Sequence, residues 1–253
     1  MEEIRYKRQI QLNEVGETGQ KKIKNSRVLV VGSGGLGCPI LMYLTGAGIG
    51  KIGIMDPDIV TLSNLQRQIL FTEKDIGKNK AISAKKHLQK INSKIKIKAF
   101  PNGLTHENAT KYFHEFDIIV DGTDNFYSRY LISDQCILQN KIMIYGAIQK
   151  FEGQISVFNY RNGPSYRCLF PTPPKVGEIP NCQDIGVLGV APGIIGILQA
   201  TEIIKVILDL DGILTGKLFV LDLLNHKNSI LDFKKNQEQI DKIKNQGKTI
   251  KID

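Results

Sequence analysis

The sequence predicts a doubly wound α/β fold: a mostly parallel sheet with a C-terminal antiparallel extension. Short apolar segments rich in β-branched residues alternate with longer segments of helical spacing through about residue 147, which is the pattern of repeated βαβ units. In addition, the first apolar segment, residues 27–31, runs directly into the glycine-rich loop 32–37 and then into a helical segment. This order of strand, glycine loop and helix opens a Rossmann-like unit.

The individual elements follow from local composition and spacing. Buried strands are predicted at residues 27–31, 51–55, 95–100, 117–121 and 141–145, a two-sided strand at 154–160 and a final strand at 217–223. Helices are predicted at residues 5–24 with a turn near Gly16, and at 38–47, 78–91, 105–114, 126–138 and 190–209. Pro192 falls in the first turn of the last helix, where proline is tolerated.

No internal repeat and no linker divides the chain. We therefore expect a single domain over residues 1–233, with a first half of about 1–147 and a second half of about 148–233. Four prolines fall within residues 170–185, so this stretch is expected to be an irregular excursion. Residues 234–253 form a polar, lysine-rich tail that we expect to be either a frayed helix or disordered.

Composition argues against several classes of protein. The four cysteines form no C-x-x-C pair, which argues against a disulfide framework and against a self-contained zinc site. No apolar run reaches the ~18 uninterrupted residues of a membrane span, and no signal segment is found, so we expect a cytoplasmic protein without a membrane partner. The net charge of +9 fits either an acidic or polyphosphate partner or a compositional bias toward lysine. Nucleic acid is disfavoured as a partner because the positive charge is spread along the chain.

Glycine spacing indicates a phosphate-binding loop. Gly32, Gly34 and Gly37 fit the pattern G-x-G-x-x-G between a strand and a helix, where backbone N–H groups at the helix N-terminus can meet phosphate. Asp56 ends the next strand, at about the spacing at which an acid meets a ribose hydroxyl. These residues alone do not separate NAD from ATP, so an NAD-dependent oxidoreductase remains an alternative.

Charged residues favour a triphosphate. ATP carries more negative charge than the pyrophosphate of a dinucleotide, and cleavage at its α-phosphate requires that this charge be held in place. Arg8, Arg67 and Lys80 are candidate counter-charges. Asp124 is a candidate Mg²⁺ ligand, because Mg²⁺ commonly takes one or two carboxylates together with phosphate oxygens. The alternative for Asp124 is an N-cap of the predicted helix 126–138.

An ordered set of motifs links the chain to a known family. Besides the glycine loop, the motifs are Arg5-Tyr6-Lys7-Arg8-Gln9-Ile10, Asp56-Pro57-Asp58, Ser63-Asn64-Leu65-Gln66-Arg67-Gln68, Gly77-Lys78-Asn79-Lys80, Asp121-Gly122-Thr123-Asp124-Asn125, Tyr166-Arg167-Cys168 and Gly186-Val187-Leu188-Gly189. The matching region spans residues 5 to about 223. On these motifs the chain resembles the bacterial ThiF/MoeB/HesA adenylyltransferases, which are relatives of the ubiquitin-activating E1 enzymes.

The resemblance implies an enzyme, an adenylyltransferase that uses ATP and Mg²⁺. Its substrate would be the C-terminal glycine carboxylate of a ubiquitin-like sulfur-carrier protein, converted to an acyl-adenylate for later sulfur transfer. The first half of the chain would bind nucleotide and the second half the carrier, and a separate donor protein would supply sulfur for thiamine, molybdenum cofactor or another pathway.

Three alternatives are weighed against this reading. The closest is adenylation of a different acceptor, either a peptide or a tRNA. An NAD-dependent oxidoreductase is less favoured, because no obvious acid/base group is present and Arg67 and Lys80 would be unexplained. A non-catalytic scaffold is disfavoured because Arg8 and Asp124 are also retained.

The same resemblance implies roles for single residues. Asp56 would contact the ribose, and Asp124 would hold the magnesium. Arg8 would reach into the site of a neighbouring subunit, which implies a homodimer. The implied nucleotide-binding residues are Gly32, Gly34, Gly35, Gly37, Asp56, Ser63, Asn64, Gln66, Arg67, Lys80, Asp124 and Asn125. The implied catalytic residues are Arg8, Arg67, Lys80, Asp124 and Cys182.

The chain departs from the family pattern at its zinc site. Family members usually bind zinc through two C-x-x-C pairs, but Ser165 stands where the first cysteine belongs and no cysteine follows Cys182. Zinc is therefore predicted to be absent, and Cys168 is predicted to be a packing residue. Either apolar packing alone holds the second half, or the branch is divergent and its carrier differs. Cys182 is either an ordinary loop cysteine or a thiol that joins the carrier covalently.

Overall fold

The computed structural model describes residues 2–175, 178 and 186–246. Within these residues eight strands form one sheet: β1 (Arg27–Val31), β2 (Lys51–Met55), β3 (Lys96–Phe100), β4 (Ile118–Asp121), β5 (Ile142–Gln149), β6 (Glu152–Phe158), β7 (Lys217–Asp222) and β8 (Lys227–Asp232). Their order across the sheet is β3-β2-β1-β4-β5-β6-β7-β8. Strands β1 to β5 are parallel, and β6 to β8 continue the sheet antiparallel. The predicted fold class is confirmed.

The α-helices lie close to the predicted positions. Those in the described part of the chain are α1 (Glu2–Ile10), α2 (Gly16–Asn25), α3 (Gly37–Ala47), α4 (Lys80–Ile91), α5 (His106–His114), α6 (Phe126–Leu138), α7 (Tyr166–Leu169), α8 (Val190–Leu208) and α9 (Gln237–Gln246). The predicted turn near Gly16 separates α1 from α2. The short helix α7 was not predicted.

Alternate residues of the central strands bury into two different layers of helices. Val28 and Val30 of β1 face a cluster that includes residues of α3, α4 and α8, whereas Leu29 and Val31 face a cluster formed with α5 and α6. Full burial of such side chains contributes roughly 1.5–3 kcal/mol each. Because both faces are covered, the strands are apolar throughout, as in other parallel sheets.

The longest helix, α8, is a core element of the second half. By length and composition alone this 19-residue segment is apolar enough to cross a membrane, but half of its most apolar window is buried inside the fold. Ile195 of α8 packs under β6, where a Cβ on Gly153 would lie 2.2 Å from Ile195 Cγ1. Gln199, Glu202 and Lys205 interrupt its apolar residues.

The sheet reverses its direction of winding between β1 and β4. Helix α3, which follows β1, packs on one face of the sheet, and helix α6, which follows β4, packs on the other. In such sheets the carboxyl ends of the two central strands border a crevice where ligands bind. The glycine loop and the loop that carries Asp124 follow these two strand ends.

Two expectations for the C-terminal region are wrong. The strand predicted at 217–223 is not the final one, because β8 follows it; β8 was not predicted, since all six of its residues are exposed and show no apolar alternation. The tail is not frayed or disordered over its first part: α9 spans Gln237–Gln246 and buries Ile240 and Ile243 against Ile137 of α6. The prediction for Cys182 lies outside the described residues.

Candidate functional site

The glycine loop is packed tightly against the end of β4. Gly32 has a φ of +91°, and a Cβ at this position would lie 2.5 Å from the carbonyl oxygen of Gly122. A Cβ on Gly37 would lie 2.1 Å from the carbonyl oxygen of Gly32. Both positions therefore exclude a side chain, and the loop enters α3 with its backbone close to the crevice between β1 and β4.

Asp56 ties the end of β2 to this loop. Its Oδ2 accepts hydrogen bonds from Ser33 N at 2.7 Å and Ser33 Oγ at 2.8 Å, and its Oδ1 accepts from Asp58 N at 3.0 Å. The Asp56 side chain is buried. Asp56 thus supports the loop directly, and its contact with a ribose stays a prediction.

Arg67 lies beside the glycine loop. Its Nη1 donates to the carbonyl oxygen of Ser63 at 3.1 Å, and its Cδ would be 3.6 Å from a Cβ built on Gly35. Asn64 shapes the turn, because its carbonyl oxygen accepts from Arg67 N at 3.1 Å and Gln68 N at 2.9 Å. The structure therefore brings this predicted cation to the predicted phosphate loop.

Lys80 begins α4 and is connected to the loop through two aspartates. Its Nζ lies 2.8 Å from Asp58 Oδ2, with the lysine side chain buried and the Asp58 side chain exposed. The backbone N–H of Asp58 donates to Asp56 Oδ1, and Asp56 Oδ2 accepts from Ser33 of the loop. The partner of the buried Lys80 ammonium is thus an exposed carboxylate.

Gln66 is exposed in the loop between β2 and α4, and it lies against Gly189, the residue before α8. A Cβ built on Gly189 would lie 2.3 Å from Gln66 Oε1 and 2.5 Å from the Gln66 carbonyl oxygen. Pro192 in the first turn of α8 also closely approaches Gly35, since a Cβ there would be 2.9 Å from Pro192 Cγ. The start of α8 therefore borders the site, a contact that the sequence did not predict.

Asp124 is a free carboxylate at the end of the β4 loop. Asn125, not Asp124, caps α6: its Oδ1 accepts from Ser128 N at 2.9 Å. The alternative reading of Asp124 as the helix cap is therefore wrong. Asp124 is exposed, and within the described residues its side chain has no hydrogen bond or ion pair. One unpaired carboxylate beside a phosphate loop fits the usual protein contribution to a Mg²⁺ site, although the described residues hold no cluster of three or more metal-binding side chains.

A buried network below Asp124 was missed by sequence reasoning. Asp121 Oδ2 accepts from Arg129 Nε at 2.9 Å, and Oδ1 accepts from Thr123 N at 3.0 Å. Burial opposes the charge of Arg129, but the adjacent Asp121 outweighs it and raises the arginine pKa. From the other side, Gln199 Nε2 donates to the carbonyl oxygen of Asp121 at 2.8 Å. No local pattern signals the contact with Gln199, because Gln199 is 78 residues away from Asp121 in the chain.

Arg8 lies far from the glycine loop of its own chain. Its neighbour Gln9 donates to the carbonyl oxygen of Ala47 at the C-terminal end of α3, and Arg5 Nη1 donates to that of Ile91 at the C-terminal end of α4. The glycine loop and Lys80 are at the opposite, N-terminal ends of these helices. With a rise of 1.5 Å per residue, the 11 residues of α3 separate the two ends by about 16 Å. Arg8 is exposed there, and the structure does not bring it to the other predicted site residues.

Cys168 packs against the start of α9 and the cluster below it. Its Sγ accepts from Ser165 N at 3.3 Å and from Asn236 N at 3.2 Å, and it lies against the cluster that contains Ile240. The buried Cys38 is shielded as well, because burial raises the pKa of its thiol to about 12. The predicted absence of zinc stays a prediction.

Comparison with known proteins agrees with this geometry. The model of the ThiF family matches residues 6–242. Adenylyltransferase and sulfurtransferase MOCS3 of Anopheles gambiae is 51% identical over 86% of this chain and 49% of its own length. The sulfur carrier protein adenylyltransferase of Thermus thermophilus is 45% identical over 87% of this chain and 83% of its own length. A probable molybdopterin-synthase adenylyltransferase of Porphyra purpurea is 51% identical over 85% of this chain and 56% of its own length. The chain thus spans about half the length of the MOCS3 relatives it matches.

Solved structures share the fold. The crystal structure of E. coli MccB with ATP has a TM-score of 0.79 at 24% identity, over 92% of this chain and 72% of that one. The crystal structure of PaaA has a TM-score of 0.78 at 22% identity, over 92% of this chain and 74% of that one. The family match covers nearly the whole of the described fold. This chain therefore belongs to the ThiF family.

Proposed function

We propose that the chain is an adenylyltransferase that uses ATP to activate the C-terminal glycine carboxylate of a ubiquitin-like sulfur-carrier protein. The observation that carries the proposal is the grouping of Arg67 and Lys80 around the glycine loop, with the unpaired carboxylate of Asp124 at the neighbouring strand end. The names of the Thermus thermophilus and Porphyra purpurea relatives support the activity and the carrier. The acyl-adenylate would then take sulfur from a separate donor protein, for molybdenum cofactor or thiamine biosynthesis.

Positioning and charge neutralisation would carry the reaction. A carboxylate oxygen of the carrier attacks the α-phosphorus, the bond from that phosphorus to the bridging oxygen breaks, and pyrophosphate leaves. Backbone N–H groups of the glycine loop, Arg67 and Lys80 would hold the phosphates, so that charge gathering on the leaving group meets groups already in place. Asp124 would hold Mg²⁺, which supplies Lewis-acid stabilisation when bound. No protein nucleophile is required for this step.

The position of Arg8 supports a homodimer. About 16 Å separates the two ends of α3, so an arginine beside its C-terminal end would serve a nucleotide only in another copy of the chain. Exposed apolar side chains in the loop between β2 and α4, namely Ile59, Leu62, Ile69 and Ile76, also suit burial against a second copy. We propose that Arg8 of one subunit completes the triphosphate site of its partner.

The adenylation step is tested by exchange of labelled pyrophosphate into ATP with Mg²⁺ and a carrier that ends in Gly-Gly. Wild-type protein is expected to exchange, and Asp124→Asn is expected to abolish exchange. Asp117→Asn is the matched control, because Asp117 lies at the opposite end of β4 and pairs with exposed Arg27. Exchange that survives in Asp124→Asn, or that is lost equally in Asp117→Asn, would contradict the proposed role of Asp124.

The dimer is tested by mixing two inactive variants. Arg8→Ala and Asp124→Asn subunits, refolded together, are expected to regain activity, because a heterodimer holds one site with both residues intact. Each variant refolded alone serves as the control. Absence of any regain, with heterodimers detected by native mass spectrometry, would contradict action of Arg8 across the interface.

A further inference from the structure

Gln199 is a fully buried polar side chain below the candidate site, and the proposed reaction does not use it. It lies in the middle of α8, and its Nε2 donates to the carbonyl oxygen of Asp121. Its Oε1 has no hydrogen-bond donor among the residues that the structure describes. A buried amide oxygen without a donor is destabilising. Packing alone therefore does not explain a glutamine at this position.

The Gln199 carboxamide lies where the pairing between β4 and β5 ends. The parallel ladder between these strands ends at the pair Val120 and Ile144. One residue further on, the Asp121 carbonyl oxygen accepts from Gln199 instead of from β5. Gly146 on β5 leaves room for this contact, because a Cβ there would lie 2.3 Å from Gln199 Cδ. The side chain thus lies between the carboxyl end of β4, which it contacts through the Asp121 carbonyl oxygen, and Gly146 in the middle of β5.

Asp121 begins the segment that ends at Asp124. Its carboxylate is held by Arg129 and Thr123, and its carbonyl oxygen is held by Gln199. The contacts with Arg129 and Thr123 are made within the β4 loop and α6, whereas the contact with Gln199 links the segment to the opposite helical layer. Loss of this one donor would leave a buried carbonyl oxygen unpaired at the base of the Asp124 loop.

We propose that Gln199 is a positioning residue, which fixes the segment 121–124 and so places Asp124 for the adenylation step. This inference rests on the proposed function for its catalytic consequence, but not for the structural contact itself. Gln199→Met keeps the length of the side chain and removes the donor. Thr201→Ala is the matched control on the same helix, because the exposed Thr201 bonds only the Ile197 carbonyl of its own helix.

The structural part is tested by hydrogen–deuterium exchange of the ligand-free protein. Peptides that cover residues 121–126 are expected to take up deuterium faster in Gln199→Met than in wild type, with no change in Thr201→Ala. Gly146→Ala provides a second variant that displaces the same carboxamide from β5, should Gln199→Met fail to fold. Unchanged uptake over 121–126 in a folded variant would overturn the proposal.

The catalytic part is tested by pyrophosphate exchange. Displacement of a group by about 1 Å can cost about 100-fold, so kcat is expected to fall by about 10- to 100-fold in Gln199→Met while the KM for the carrier stays the same. Faster deuterium uptake with an unchanged kcat would overturn the link to adenylation. Failure of the proposed function is distinguishable, because wild-type protein would then show no exchange at all, while the deuterium result would stand.

Discussion

Replacement of Arg129 by methionine is expected to lower the free energy of unfolding by about 3–5 kcal/mol, the usual cost of leaving one charge of a buried pair without its partner. Arg129 and Asp121 expose 8% and 0% of their side chains, and their Nε and Oδ2 atoms are 2.9 Å apart. Without the guanidinium, Asp121 Oδ2 loses this charged donor, and Oδ1 keeps only Thr123. At about 2–4 °C per kcal/mol for a chain of this size, the melting temperature should fall by about 6–20 °C.

Urea unfolding followed by circular dichroism measures this loss, with Arg27→Met as the matched control. Arg27 and Asp117 form two N–H to oxygen contacts, one more than Arg129 and Asp121, but their side chains are 47% and 45% exposed. An exposed pair contributes about 0–1 kcal/mol. The double variant Asp121→Asn with Arg129→Met should lose less than the sum of the two single variants. Equal losses in Arg129→Met and Arg27→Met would refute the reasoning.

Three further outcomes are expected. Hydrogen bonds from Lys51 and Lys98 lower the pKa of Glu115 from 4.5 to about 2, so the stabilising contribution of Glu115 is present above pH 4.5 and is lost as the pH falls toward about 2. The free energies of unfolding of wild type and Glu115→Gln should therefore converge over that window. A constant difference between them would contradict this prediction. Removal of residues 234–253 takes away α9, so alkylation of Cys168 should become faster, and an unchanged rate would mean that α9 does not cover the thiol. Cys182→Ser should keep pyrophosphate exchange within a few-fold, because carboxylate attack on phosphorus needs no thiol; loss of exchange would show an earlier role for Cys182.

Local patterns in the sequence were sufficient to predict the first half of the fold, residues 1 to about 147. A β-branched run, three spaced glycines and a small-residue helix predict β1, its loop and α3, because the strand ends and the helix begins within a few residues. The outer strand β8 could not be predicted in this way, because an exposed edge strand has no apolar alternation. The contacts of α9 likewise depend on Ile137, about 100 residues earlier in the chain.

The sequence predicted which residues belong to the candidate site better than it predicted the contacts among them. Both Asp124 and Asn125 precede α6 and both are good helix caps, and only the observed bond from Asn125 to Ser128 N leaves Asp124 free. The contact of Gln199 with Asp121 joins residues that no periodicity relates. Sequence patterns indicate which residue types are present, whereas the pairing of distant buried polar groups is decided when the layers of the fold pack together.

The central claim is most directly tested by the intact mass of a Gly-Gly-ended carrier incubated with this chain, ATP and Mg²⁺. The carrier is expected to gain the mass of one adenylyl group, which is AMP less one water, with wild-type protein and to remain unmodified with Asp124→Asn. Omission of ATP, or its replacement by NAD, should also leave the carrier unmodified. A carrier that stays unmodified with folded wild-type protein, while the chain turns over NAD or adenylates a peptide or a tRNA, would contradict the account.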